Sequence, residues 1–203
     1  MSAKGSLTGA GVIARRLAEA GCTHAFGIPG GEVLALMDAL KQEGIRFSLC
    51  KHENAGGFMA EGVHHATGAP AVLLATVGPG VANAINVVVN AWQDQVPMIF
   101  LTGAIDPADT HTFTHQVFDH TALLKPITKA SFSAVDGAVD AIIDKAVAIA
   151  MDDRPGPVHV DVPIRVAERL ATVGAPVRRV RPAPVAPAPS RVLDEVQSHL
   201  ARA

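Results

Sequence analysis

The stretch Arg46-Phe47-Ser48-Leu49-Cys50-Lys51-His52-Glu53-Asn54-Ala55 changes character at its middle. Up to Cys50 it reads as an apolar, buried strand, and from Glu53 to about Thr67 it reads as a helix that starts on an acidic residue. A carboxylate at or just inside a helix N-terminus complements the helix dipole. The same carboxylate lies at the carboxyl end of a strand, where open α/β sheets place their ligand chemistry. Glu53 is therefore a candidate site residue, with dipole complementation as its plainer role.

Upstream of this stretch, Thr8 is a predicted N-cap for a helix that carries Val12, Ile13, Leu17 and Ala20 and closes at Gly21. Thr23 to Phe26 reads as a strand that runs into the glycine- and proline-dense loop Gly27-Ile28-Pro29-Gly30-Gly31-Glu32. A helical pattern at Val33, Leu34, Leu36, Met37 and Leu40 follows and ends at Gly44. In the helix that begins at Glu53, the residues Gly56, Gly57, Ala60 and Gly62 keep one face small. Such a face admits a second backbone, from this chain or from another subunit, and Trp92 is a further candidate for either contact.

Downstream, Pro70 to Thr76 is a continuously apolar strand, followed by Val77-Gly78-Pro79-Gly80 and one helix through Val81, Ile85, Val88, Val89 and Trp92. Val96 to Thr102 reads as a strand buried on both faces, as in a parallel sheet covered by helices. Asp106 to Asp119 has no clean periodicity and reads as a functional loop or lid. Ile127 to Phe132, Val135 to Met151 and Pro157 to Val162 complete the alternation as strand, helix and strand. The prediction for residues 1–170 is an α/β domain with a doubly wound, mostly parallel sheet of about six strands and helices on both faces. Residues 171–189, rich in Pro and Ala, are expected to be a semi-rigid linker. Residues 190–203 would start a following helix or domain, with Ser190 as its cap and Val192, Leu193, Val196 and Leu200 on one side. That arrangement is expected of one piece of a larger polypeptide, the alternative being a helix that folds back on the domain or on a partner.

Composition narrows the function classes. Of 203 residues, 49% are hydrophobic and 18% charged, and the net charge of −2 provides no basic field for nucleic acid, apart from the local group Arg178, Arg179 and Arg181. The two cysteines, Cys22 and Cys50, lack a metal-ligand spacing and are expected to be small buried thiols in a reducing compartment. Neither a signal peptide nor a membrane-length apolar run is present, so the expected location is the cytoplasm.

Three loops at strand ends now stand together: Phe26-Gly27-Ile28-Pro29-Gly30-Gly31, Lys51-His52-Glu53-Asn54-Ala55, and Thr76-Val77-Gly78-Pro79-Gly80-Val81-Ala82-Asn83. With Thr102-Gly103 and the segment Arg154-Pro155-Gly156-Pro157-Val158-His159-Val160-Asp161-Val162-Pro163, their order and spacing resemble the pyrimidine-binding domain of thiamine-diphosphate enzymes. The nearest branch is similar to acetolactate synthase. The resemblance runs from about Thr8 to Pro163.

The resemblance implies roles. Glu53 would hydrogen-bond the ring nitrogen of the cofactor's aminopyrimidine and promote the imino tautomer, which takes the thiazolium C2 proton to give the reactive ylide. Pro29 and Gly30 would bring backbone against the pyrimidine. Thr76, Pro79 and Asn83 would surround the pyrimidine and the substrate side. Gln116 would point toward the reacting centre with His115 beside it. The chain departs from the acetolactate synthase pattern in having His115-Gln116-Val117 where that pattern has Phe-Gln-Glu, while decarboxylase relatives carry a histidine pair in this loop. The Gly-Asp-Gly segment through which the family binds diphosphate and Mg2+ is absent from the sequence. Thiamine diphosphate would thus be shared with a diphosphate-binding domain, in the same longer polypeptide or in a separate subunit of a homo-oligomer, and the substrates would be 2-oxo acids. The alternatives are a 2-oxo acid decarboxylase and a non-catalytic or regulatory pyrimidine domain.

Two further readings are weaker. Gly78-Pro79-Gly80 could hold a nucleotide phosphate, but the Gly-x-Gly-x-x-Gly spacing fails and proline removes a donor. His111, His115 and His120, or His64 and His65, could ligate a metal, but solvent-facing histidines are the better expectation, and no metal ligand is assigned.

Overall fold

The computed structural model describes residues 7–113, 115–171 and 189–202. Nearly all of the predicted linker, with Arg178, Arg179 and Arg181, lies outside the described residues. The chain runs β1 (Leu7–Thr8), α1 (Gly9–Glu19), β2 (His24–Ile28), α2 (Leu34–Gln42), β3 (Arg46–Leu49), α3 (Glu53–Thr67), β4 (Ala71–Ala75), α4 (Pro79–Asn83), α5 (Ile85–Gln93) and β5 (Met98–Ala104). It continues through α6 (His120–Leu124), β6 (Ala130–Ser133), α7 (Val139–Met151), β7 (Val158–Pro163), α8 (Ile164–Glu168), β8 (Leu170–Ala171) and α9 (Ser190–Leu200).

The main sheet has six strands in the order β3-β2-β4-β5-β7-β6, every pair parallel. From β2 the chain steps outward to β3, then crosses back over β2 to form β4 on its other side. The switch point therefore lies between β2 and β4, and a crevice opens beyond their carboxyl ends. Parallel pairing needs crossover helices, and these cover both faces of the sheet. One core packs α1, α2 and α7 against Val72, Leu74, Ile99, Leu101, Val158 and Val160. The other packs α3 and α5 against Phe26, Leu73, Met98 and Phe100. Side chains alternate between the two cores along β4 and β5, as the two-residue period of a strand requires.

Several details differ from the sequence reading. β3 is an edge strand with Arg46 and Leu49 exposed, so Glu53 follows an edge strand rather than a buried one. The single helix expected after Gly80 is divided at Ala84, whose N–H bonds to the Val81 carbonyl three residues back and tightens the turn. α7 starts at Val139 rather than Val135, because Gly137 just before it takes φ 79°, outside the helical region. Thr8 does cap α1, its hydroxyl accepting from the Gly11 N–H. Ser190 does not cap α9: it is the first helical residue, behind Pro189, and Val192, Leu193, Val196 and Leu200 are all exposed. The antiparallel pair β1–β8, which ties Leu7 to Ala171, is too short to leave a pattern in sequence.

The small face of α3 packs within the chain at Gly56, Gly57 and Ala60, whereas Gly62, expected on the same face, is exposed with nothing within 4 Å of where its Cβ would be. A Cβ on Gly56 would lie 3.1 Å from Cys50 Sγ and 3.3 Å from the Gly27 nitrogen, and one on Gly57 would lie 2.3 Å from Val87 Cγ1. Ala60 is likewise buried, whereas Trp92 is half exposed. In an open helix Gly→Ala would stabilise by about 0.5–1 kcal/mol. Here the sign reverses: Gly57→Ala lowers stability in urea unfolding by about 1–3 kcal/mol, and adding Val87→Ala recovers part of that loss.

Candidate active site

Glu53 is the first residue of α3, whose N-cap is His52, with Nδ1 accepting from the Asn54 N–H at 3.2 Å. Its side chain does not face bulk water: Glu53 is 4% exposed. Oε2 accepts from Asn83 Nδ2 at 3.1 Å, which fixes the carboxylate from the end of α4. Oε1 has no hydrogen-bond partner among the described residues, and the position of a Cβ on Gly80 would be 3.3 Å from it. Glycine at position 80 thus keeps the approach to Oε1 clear.

The loops after β2 and β4 meet at the switch point. A Cβ on Gly30 would lie 2.2 Å from Thr76 Oγ1, so only glycine permits this approach. Thr76 Oγ1 donates to Glu32 Oε2 at 2.6 Å. Sequence reading passed over Glu32, although an acidic residue closing a Gly-Gly loop was its visible signal. Pro29 and Gly30 are half-buried at the end of β2, and Pro79 is exposed at the start of α4. Gly30 thus meets Thr76, and Gly80 and Asn83 meet Glu53, with Pro79 exposed beside Gly80.

The stretch just before α6 lies against the loop at Gly78. Gln116 takes φ 60°, and its carbonyl oxygen lies 2.1 Å from where a Cβ on Gly78 would be. His115 and Gln116 are exposed. Arg165 holds the outer part of the loop through Asp109 at 2.9 Å and Asp106 at 3.6 Å.

Of the histidines weighed as metal ligands, His111, His115 and His65 are exposed, as expected. His64 is half-buried, with Nδ1 against the Ala69 carbonyl at 2.8 Å just past the helix end. His120 overturns the expectation of a solvent-facing loop residue: it is 4% exposed, and Asp119 caps its helix through the Ala122 N–H. Its ring joins a buried polar network. His120 Nδ1 lies 2.7 Å from Asp161 Oδ1, and its Nε2 accepts from the Gly78 N–H at 3.1 Å. Thr102 Oγ1 donates to Asp161 Oδ1 at 2.6 Å and lies 2.8 Å from His159 Nε2. His159 Nδ1 lies 2.5 Å from Ser131 Oγ. Register explains the assembly, since Thr102 is paired with Asp161 and Ser131 with His159 across neighbouring parallel strands. The signal was present in Val158-His159-Val160-Asp161-Val162, because two polar side chains on one face of a covered strand must find partners.

The family "thiamine pyrophosphate enzyme, N-terminal TPP binding domain" matches residues 7–123, more than half of the chain, and the chain belongs to that family. Its relatives include the acetolactate synthase isozyme 3 large subunit of Escherichia coli K12, 37% identical over 159 residues, which are 77% of this chain and 28% of that protein. They also include the acetolactate synthase of Mycobacterium bovis, 36% identical over 178 residues, or 87% of this chain and 29% of that protein. The Bacillus subtilis acetolactate synthase is 40% identical over 128 residues, 63% of this chain and 22% of that protein. The chain thus spans less than a third of the length of these relatives. Among the described residues, no helix is long and apolar enough to cross a membrane.

Asp161 carries a pH signature. Burial opposes its ionisation, but His120, His159 and Thr102 outweigh it and hold the carboxyl well below the usual carboxylate range. A depressed folded-state value means that the stabilisation is fully present above the unfolded carboxylate value, about 3.9, and is lost as pH falls through the folded one. The urea midpoint of the unmodified chain is expected to drop as pH falls below about 4. That of Asp161→Asn starts lower at neutral pH and changes less across this window.

Proposed function

We propose that this chain supplies the pyrimidine-binding half of an acetolactate synthase-like enzyme acting on 2-oxo acids. The observation that carries the reading is the Glu53 carboxylate, buried at the switch point, held by Asn83 through one oxygen and open at the other. The residues fit an aminopyrimidine. A carboxyl oxygen kept from solvent can hold or give a proton at a ring nitrogen, and the glycines at 30 and 80 let backbone lie close to a flat heterocycle.

In this reading Pro29, Gly30, Thr76, Pro79 and Asn83 would hold the ring, with Glu53 Oε1 available to its nitrogen. Thiamine diphosphate, when bound, supplies the carbanion chemistry by which 2-oxo acids are decarboxylated and joined. The role of Glu53 is to keep a proton at Oε1 available to that nitrogen, while Asn83 prevents the carboxylate from turning away. Gln116 and His115, on the loop that lies against Gly78, border the substrate side. The diphosphate and its Mg2+ would be held by a diphosphate-binding domain in the same longer polypeptide or a separate subunit, in a cytoplasmic homo-oligomer. Residues 171–189 would connect toward that remainder and 190–203 would begin it. By itself the chain would be inactive. His115, standing where acetolactate synthases have phenylalanine, favours 2-oxo acid decarboxylation as a second reading.

Pyruvate consumption, assayed with thiamine diphosphate and Mg2+, should require pairing with a diphosphate-binding domain. Glu53→Gln should then lower the rate by at least about 100-fold, with the circular dichroism and melting temperature of the chain unchanged. Full activity in that variant would remove Glu53 from the chemistry.

A further inference from the structure

The network around His120 can be resolved proton by proton. The Gly78 N–H can only donate, so His120 Nε2, 3.1 Å away, must be a bare acceptor. The ring proton then sits on Nδ1 and is given to Asp161 Oδ1 at 2.7 Å. Thr102 spends its single hydroxyl proton on the same oxygen, so His159 Nε2 must donate to Thr102, while His159 Nδ1 lies against the Ser131 hydroxyl, itself 3.3 Å from Thr121 Oγ1. Asp161 Oδ1 thus accepts twice, from His120 and from Thr102, and the His120 ring carries its proton on Nδ1.

We propose that His120 is a positioning residue that anchors the Gly78-Pro79-Gly80 loop to the sheet and thereby fixes Asn83 against Glu53. The route is short and continuous. Asp161 on β7 orients the His120 ring, and the ring holds the Gly78 N–H. Gly78 is the N-cap of α4, and Asn83, the last residue of α4, donates to Glu53 Oε2. α4 is a single turn with no side-chain cap of its own, so the contact at Gly78 substitutes for one. The same contact consumes a donor that a phosphate at this helix start would need. The inference rests on the reading of Glu53 as the group that works on the cofactor.

The ligand atoms of His120, His159 and Asp161 lie within 4.8 Å of one another, which is close enough to weigh a metal ion. A metal there would need the Nδ1 lone pair of His120. That would move the proton to Nε2 and set it against the Gly78 N–H, donor facing donor. The hydrogen-bonded arrangement and the metal site therefore exclude each other.

The test begins with the chain alone. Ring-nitrogen NMR of His120 at neutral pH should show the Nδ1–H tautomer with Nε2 unprotonated, and the Gly78 amide should be protected from exchange. His120→Gln keeps an acceptor at the reach of Nε2, whereas His120→Asn keeps only a donor at the reach of Nδ1. Gly78 exchange is expected to rise at least about tenfold in the Asn variant and to stay near the unmodified value in the Gln variant. In the enzyme assembled with its diphosphate-binding domain, kcat should fall about tenfold for Asn with little change in KM, and Gln should restore most of it. An Nε2–H tautomer, equal Gly78 exchange in the two variants, or stoichiometric Zn2+ binding that releases the Gly78 amide would overturn the proposal. So would a Gly78 amide freed in the Asn variant with kcat unchanged. Failure of the underlying reading looks different: Glu53→Gln would stay active while the tautomer and the Gly78 protection remained as described.

Discussion

The closeness of β2 and β4 at the switch point governs the site. Gly27, in β2, is paired with Leu74, and a Cβ at position 27 would lie 1.8 Å from the Leu74 carbonyl oxygen. No other residue fits there without parting the strands. Because the strands stay together, the loops that leave their carboxyl ends are forced into contact, and Gly30 meets Thr76 directly. The crevice is thus a product of backbone spacing before any reactive group is considered.

Three helices converge on that crevice, each contributing through its end. α3 begins at Glu53, α4 ends at Asn83, and α6 begins at His120. Helix ends carry unsatisfied backbone groups, and here side chains of other elements or of the cap residue satisfy them. His52 accepts from Asn54, Asp119 accepts from Ala122, and His120 accepts from Gly78. The last of these ties a loop of one βα unit to a helix that follows the next strand. A carboxylate at each end, half-buried Asp161 and buried Glu53, gives the chain of contacts two fixed points.

Much of this was legible in the amino-acid sequence because glycine and proline mark turns whose geometry few other residues tolerate. The loops at Gly27 to Gly31 and Gly78 to Gly80, the acidic start at Glu53 and the alternation of strands with helices were readable for that reason. What escaped depends on distance along the chain. Thr102 and Asp161 become neighbours only once β5 pairs with β7, and Ser131 reaches His159 only through the β6–β7 register. His120 looked like one more loop histidine, since nothing adjacent to it in sequence announces a buried partner. The edge position of β3 was equally hidden, because a four-residue strand with mixed polarity reads alike at the rim and in the middle of a sheet.

The glycines at 56 and 57 set the azimuth of α3. A helix turns about 100° per residue, so sliding its contact face by a single position would swing Glu53 well away from Asn83. With Val87 lodged against Gly57, the helix is keyed like a shaft in a slot. The aim of the carboxylate is thus decided one turn further on, by two residues that have no side chain. Selection for activity of the enzyme assembled with its diphosphate-binding domain would recover those silent positions beside the acid they point.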